Sequence, residues 1–181
     1  ELGSRGDDVA LAVAERLQLQ VVGRELINRA ARAAGAPEMA LAEIDELGLL
    51  GVRPRGAVLA QYRAAVAAVM RERAAAGNVL LVGRGAQIVL ADWPGALHVR
   101  IVAPASQRLR VIQERCGISP EAAEARMQAS DRARAGFHRQ THHVKWEDPL
   151  LYDLVLNMER LTVEEAVVMI CAAAGSRGQG S

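Results

Sequence analysis

Apolar positions recur at helical spacing over about residues 7–19, where Val9, Ala10, Val13, Ala14 and Leu17 share one side. Asp7 and Asp8 stand in the first turn of that predicted helix, where carboxylates suit the positive end of the helix dipole. A short apolar piece at 19–22 reads as a strand. A second helix is predicted over 24–34, stopped by Gly35 and Pro37. Residues 36–56 hold an acidic helix-like run, PEMALAEIDELGLLG, and a turn punctuated by glycine and proline, GVRPRG. A long helix follows over about 57–76, with Val58, Leu59, Tyr62, Val66, Val69 and Met70 on one side, and Gly77-Asn78 ends it.

The pattern then changes. NVLLVGRGAQIVL opens on a short all-apolar strand that ends in a Gly-Arg-Gly turn. A run apolar on both faces needs helices above and below it, which implies a parallel sheet. ALHVRIVAP is a second such strand, closed by Pro104, and LYDLVLNM is a third. Helices are predicted between them over 106–115 and 119–139, the latter opened by Ser119-Pro120-Glu121, a cap followed by proline in the first turn. The last helix starts at Thr162 with Glu165 three residues on, a capping box, and residues 176–181 read as a flexible tail. This alternation predicts a doubly wound α/β fold with a parallel sheet flanked by helices. Ligands in such sheets bind at the carboxyl ends of the strands. Loops 3–6 and 83–85, the residues after Pro104, and Asn157 are therefore the candidates.

Composition narrows the picture. With 181 residues, 51% hydrophobic and 24% charged, the chain suits one globular domain, here 1–175. A net charge of +1 supplies no global field for nucleic acid or an anionic membrane, so an anion site has to be built locally. Lys145 is the only lysine and the other basic residues are arginine. A coding bias toward arginine and alanine is the larger cause, and forked phosphate contacts are the competing one. Cys116 and Cys171 lack a CxxC partner and form neither a disulfide framework nor a zinc site; they read as buried or neutral thiols of a reducing cytoplasm. No apolar run is long enough to span a bilayer and no signal-peptide pattern is present, so a cytoplasmic location is expected.

Three stretches carry candidate chemistry. Arg84 sits between two glycines where an apolar strand ends, so its guanidinium is offered at the ligand-binding edge; phosphate contact and a solvated turn weigh about equally. In ASDRARAGFHRQTHH, Asp131 and Arg134 share a helix face, with Arg132 beside them and Arg139 further along. Those arginines could close over a transferring phosphoryl group, although alone the stretch reads as an exposed helix with an i,i+3 ion pair. His138, His142 and His143 lack a carboxylate or cysteine at metal-ligand spacing, and a solvent-facing polar cluster is the expectation. In ELGSRGDD, Gly3-Ser4-Arg5-Gly6 precedes a helix and its amides could cradle an anion. Asp7 and Asp8 oppose a polyphosphate there, and no Ser or Thr follows to hold magnesium.

In order and spacing, ELGSRGDDVALAVAERLQL, NVLLVGRGAQIVL, LHVRIVAP, SDRARAGF and DPLLYDLVLNMERLTVEEAVVMI resemble the cytidylate kinase-like family over nearly the whole chain. The resemblance implies a three-layer P-loop NTPase-like fold, with a helical acceptor-side segment at 36–76 and a lid at 119–147. It implies transfer of the ATP γ-phosphoryl group, with Mg2+, to a nucleoside monophosphate such as CMP. Gly3, Ser4 and Gly6, with Arg5 between them, would cradle donor phosphates and Arg84 would hold the acceptor phosphate. Asp131 would lie near the acceptor sugar, Arg134 on phosphate, and Arg132 and Arg139 would be further lid cations. The implied partner is a small nucleotide, with neither nucleic acid nor membrane, and a homodimer is compatible with it.

The departures are specific. Arg5 replaces a glycine of the family's loop, Asp7 replaces a basic residue, Gly85 replaces the aspartate of cytidylate kinases proper, and Gly23 stands where an aspartate is usual. Only Glu1-Leu2 remains of the strand that leads into the loop, so residues upstream are expected. The alternative function is a non-catalytic nucleotide-sensing or oligomerising module that kept the fold and lost the donor loop.

Overall fold

Glycines and short left-handed turns set where the elements end. In a computed structural model describing residues 1–33, 35 and 56–178, the chain runs α1 (Gly6–Leu17), β1 (Gln20–Val22), α2 (Arg24–Ala33), α3 (Gly56–Ala76) and β2 (Val79–Leu81). It continues α4 (Ala86–Val89), β3 (Val99–Val102), α5 (Ala105–Cys116), α6 (Pro120–His142), a 3-10 turn (Pro149–Leu151), β4 (Leu154–Asn157) and α7 (Val163–Gly178). The helix-like run expected within 36–55 lies outside the described residues. Gly77 and Asn78, at φ 76° and 48°, turn α3 into β2. Ser119 Oγ accepts the Ala122 amide at 3.3 Å to open α6, and Thr162 and Glu165 cap α7 reciprocally.

Two helices outlast their expected ends. α6 reaches His142 before His143 turns left-handed at φ 59°. α7 continues to Gly178, so residues 176–178, expected in a tail, are helical; Arg177 anchors that turn by pairing with Asp153 at 2.7 Å.

Among the described residues all strand pairing is parallel, as the apolar runs require. β1 pairs with β2, with Val21 opposite Leu80, and β3 pairs with β4, with Ile101 opposite Leu156. The partners in each pair are separated by helices, the long crossover that parallel neighbours need. Among the described residues these are two small sheets rather than one continuous sheet. Alternation along β2 packs Val79 and Leu81 against a core of Val22, Ile27, Tyr62, Met70 and Phe137, while Leu80 joins Val9, Val13, Leu156, Val167 and Ile170 under α1 and α7. Val99 and Ile101 of β3 enter that second core too, which directs the intervening Arg100 to the opposite face.

Candidate functional site

Beyond β2 the backbone takes three left-handed residues in succession: Gly83 at φ 84°, Arg84 at 57° and Gly85 at 75°. Glycine adopts this conformation freely, whereas an arginine in it costs about 1–2 kcal/mol. The turn leaves Arg84 only 1% exposed, with its guanidinium 5.5 Å from the Phe137 ring on α6. A Cβ on Gly85 would lie 2.5 Å from His142 Nε2, so the strand-end turn is pressed against the last turn of α6. A cavity of about 390 Å³ adjoins it between α3 and α4, lined in part by Arg63, Arg71, Ile88, Val89 and His142.

Helix geometry divides the α6 residues that lie together in sequence. Phe137, His138 and Thr141 are buried and Arg134 is half-buried, whereas Arg132 and Arg139, seven residues apart, are exposed. Arg132 donates to Gln128 of its own helix at 3.4 Å. Asp131 does not pair with Arg134; it takes a bidentate fork from Arg108, at 2.9 and 2.8 Å. Of the three histidines expected to face solvent, His143 is exposed but His138 and His142 are not. His138 is buried and His142 half-buried because both fall on the packed face, edge-on to Phe137 at 5.3 and 5.8 Å. Burial first, then His138 and Arg63, lowers the His142 imidazole from 6.5 to about 4. Among the described residues no three His, Cys, Asp or Glu side chains group as metal ligands.

A second cluster escaped the sequence reading. Trp146 is buried with the Arg100 guanidinium 4.5 Å and the Arg134 guanidinium 5.2 Å from its ring. Arg100 also donates to the Glu147 carbonyl at 2.7 Å and to Glu1 at 3.0 Å. Three buried nitrogens here, Arg100 Nε, Arg134 Nη1 and Trp146 Nε1, have no acceptor among the described residues. The available signal was an arginine in the middle of an apolar strand, VRIV. Arg108, on the buried side of α5 with Ile112, carried the same kind of signal.

The opening loop is drawn inward. Gly3 is left-handed at φ 80°, and a Cβ there would lie 2.5 Å from the Arg108 carbonyl oxygen, so backbone approach by α5 requires the glycine. Ser4 is buried and donates to the Glu1 carbonyl at 2.8 Å. Arg5 caps α1 at φ 62° with no side-chain cap bond and pairs with Asp8 at 3.1 Å; Arg115 pairs with Asp8 as well. A Cβ added at Gly6 would stand 3.4 Å from the Ile101 Cβ, an ordinary contact, and Asp7 is exposed. Both cysteines are free, but Cys116 is exposed rather than buried, because it ends α5 on the solvent side near Arg126.

The profile of the cytidylate kinase-like family matches residues 1–160. The chain belongs to that family. Membership points to a kinase-related role without specifying a substrate. A crystal structure of an uncharacterized protein from Eubacterium ventriosum ATCC 27560 superposes at a TM-score of 0.77, over 98% of this chain and 95% of that one, with 23% identity, a likeness of fold. Over 94 residues, 52% of this chain, the sequence is 30% identical to a uronate isomerase of Corynebacterium glutamicum. The matched stretch is only 18% of that protein's length. Among the described residues of this family member, no helix is long and apolar enough to cross a membrane.

Proposed function

We propose that this cytidylate kinase-like protein is a phosphotransferase of P-loop NTPase-like fold, acting on a nucleoside monophosphate such as CMP. The observation that carries the reading is the set of buried donors, on Arg100, Arg134 and Trp146, that have no acceptor among the described residues. All are N–H donors and two are cationic, so the group that satisfies them accepts hydrogen bonds and is anionic, as a phosphate is. Arg84, held in a left-handed conformation at the strand end, supports the same reading, since strained buried residues gather at functional sites.

In this reading Arg84 holds the acceptor phosphate and Arg134 neutralises charge on the γ-phosphoryl group as it passes from ATP to a phosphate oxygen of the acceptor. Catalysis is then positioning and charge balance, which suits a site rich in arginine. Asp131, fixed by Arg108, would stand at the rim near the acceptor sugar, and exposed Arg132 and Arg139 would meet the ligand only from outside. The donor side fits less completely. The N-terminus of α1, with no side-chain cap, suits an anion through the amides of the 3–6 loop. Ser4 is wholly buried, with its hydroxyl proton donated to the Glu1 carbonyl, so the loop exposes no hydroxyl oxygen to magnesium.

The burial of Ser4, with Asp8 held by two arginines, favours a second reading: a nucleotide-sensing module that no longer transfers phosphate. Thermal shift and coupled ADP release with ATP, Mg2+ and CMP, dCMP or UMP separate the two. Transfer predicts stabilisation and acceptor-dependent ADP release, with turnover about 100-fold lower in Arg84→Ala and Arg134→Ala at unchanged fold. Stabilisation without ADP release selects the sensor. No stabilisation by any nucleotide refutes both.

A further inference from the structure

Two backbone carbonyls fix where the protons lie in a polar network beside Arg134 and Trp146. The Trp146 carbonyl accepts from the Tyr152 hydroxyl at 2.8 Å, and the Arg134 carbonyl lies 3.0 Å from His138 Nδ1. A carbonyl only accepts, so Tyr152 points its proton at Trp146 and His138 carries one on Nδ1. The Tyr152 oxygen is left as an acceptor, and the side-chain amide nitrogen of Gln87 donates to it at 3.4 Å. The second hydrogen of that amide goes to His138 Nε2, also at 3.4 Å, which makes Nε2 an acceptor and His138 the neutral Nδ1–H tautomer. Position 87 therefore has to present two hydrogens and no charge. A carboxylate there would set oxygen against two lone pairs, and an apolar side chain would withdraw both donors.

Gln87 stands on α4, three residues past Arg84, and the groups it holds bear on all three donors that lack acceptors among the described residues. Arg134 and Trp146 contribute the two carbonyls. Arg100 lies 4.5 Å from the Trp146 ring and 5.8 Å from the Tyr152 ring. We propose that Gln87 is the positioning residue of this anion site, its two amide hydrogens acting through His138 and Tyr152 to hold α6 and the 146–152 segment in one fixed relation to the Arg84 turn. The consequence for ligand binding rests on the phosphate reading above, whereas the proton arrangement does not. Convergent donors serve an anion only when held within about 0.5 Å of their places. Residues 143–153 are mostly turns, which packing restrains less than a helix, so the side that carries Trp146 depends most on such a link.

The test uses the full chain, labelled with nitrogen-15, and two substitutions of similar size. Gln87→Met removes both donors, and Gln87→Glu keeps the shape but reverses the hydrogen bonding. NMR of the His138 ring is expected to show Nδ1–H in the wild type and in Gln87→Met, and a proton on Nε2 in Gln87→Glu, where the carboxylate accepts it. Packing alone moves no proton, so this readout isolates the hydrogen bond. Exchange of the Trp146 indole hydrogen, assigned with Trp93→Phe, should be about fivefold faster in Gln87→Met, the factor for one lost hydrogen bond. In a Tyr152→Phe background the same substitution should add about twofold at most, because the link to Trp146 is already cut. Calorimetry with inorganic phosphate and with CMP should show affinity lower by about fivefold in Gln87→Met. An Nε2–H tautomer in the wild type, indole exchange unchanged in Gln87→Met, full additivity with Tyr152→Phe, or wild-type affinity in Gln87→Met overturns the proposal. If tautomer and exchange behave as expected and the wild type binds neither phosphate nor CMP, the phosphate reading fails and the positioning of Arg134 and Trp146 stands.

Discussion

Gly85→Ala tests the contact between the strand-end turn and α6 most directly. The new methyl meets two separate costs. At φ 75° an alanine backbone is less favourable than glycine by about 1–2 kcal/mol. Its Cβ would also stand 2.5 Å from His142 Nε2, so the ring or the turn has to move, and such overpacking costs about 1–3 kcal/mol. Restricting the unfolded chain returns about 0.4–1 kcal/mol, leaving a net loss of about 1–5 kcal/mol. Gly95 supplies the control, because it has nearly the same φ, 77°, and nothing within 4 Å of its added Cβ. Gly95→Ala should therefore lose only about 1 kcal/mol. Urea denaturation of both variants, with His142→Ala and the Gly85→Ala/His142→Ala pair completing a cycle, separates backbone strain from collision. The double variant should recover the collision share, a coupling of about 1 kcal/mol or more. Equal losses at 85 and 95, or additive effects at 85 and 142, would refute the contact.

Arg108→Ala removes the Asp131 fork and the 2.7 Å bond to the Leu2 carbonyl from a buried position, and should lower stability by about 2–4 kcal/mol. Arg108→Lys should recover less than half of that in urea titrations, since a lysine cannot form the fork. Acid should destabilise the fold through His142, which faces His138, Arg63 and His143 as well as the Arg84 backbone. The unfolded chain takes up this proton near pH 6.5 and the folded one only near 4, so the contribution is whole above about pH 6.5 and lost as pH falls to about 4. Allowing for the ring's partial exposure, the loss is about 1–2 kcal/mol. His142→Asn should flatten that part of the stability profile, and an unchanged slope would contradict the assignment.

The elements were legible because short-range chemistry determines them. Gly77-Asn78, Ser119-Pro120 and Thr162-x-x-Glu165 each end or begin a helix by a local mechanism that works whatever the rest of the chain does. Sheet continuity is a long-range property and was not legible in the same way. VLL and VRIV both read as buried parallel strands, but nothing in either run says which strand lies at its other edge. The extension of α7 to Gly178 also depends on a distant partner, Asp153, which a window around GSRGQGS does not contain.

The site was half legible for a geometric reason that α6 makes plain. Asp131, Arg132, Arg134 and Arg139 read as one cluster because they are close in sequence, yet a helix turns about 100° per residue and faces, not neighbours, decide contact. Counting from Arg134, positions three, four, seven and eight residues on are Phe137, His138, Thr141 and His142, and these line the packed side. The same count assigns Arg132 and Arg139 to solvent. The face that matters therefore carries one arginine, two rings of His and one of Phe, and the other cations come from elsewhere: Arg84 from a strand end, Arg100 from the middle of a strand. An arginine in an apolar strand is costly to bury unless something anionic or aromatic receives it. In VRIV that requirement was visible in four letters, and Trp146, Glu1 and the Glu147 carbonyl meet it in part, leaving Nε with no acceptor among the described residues.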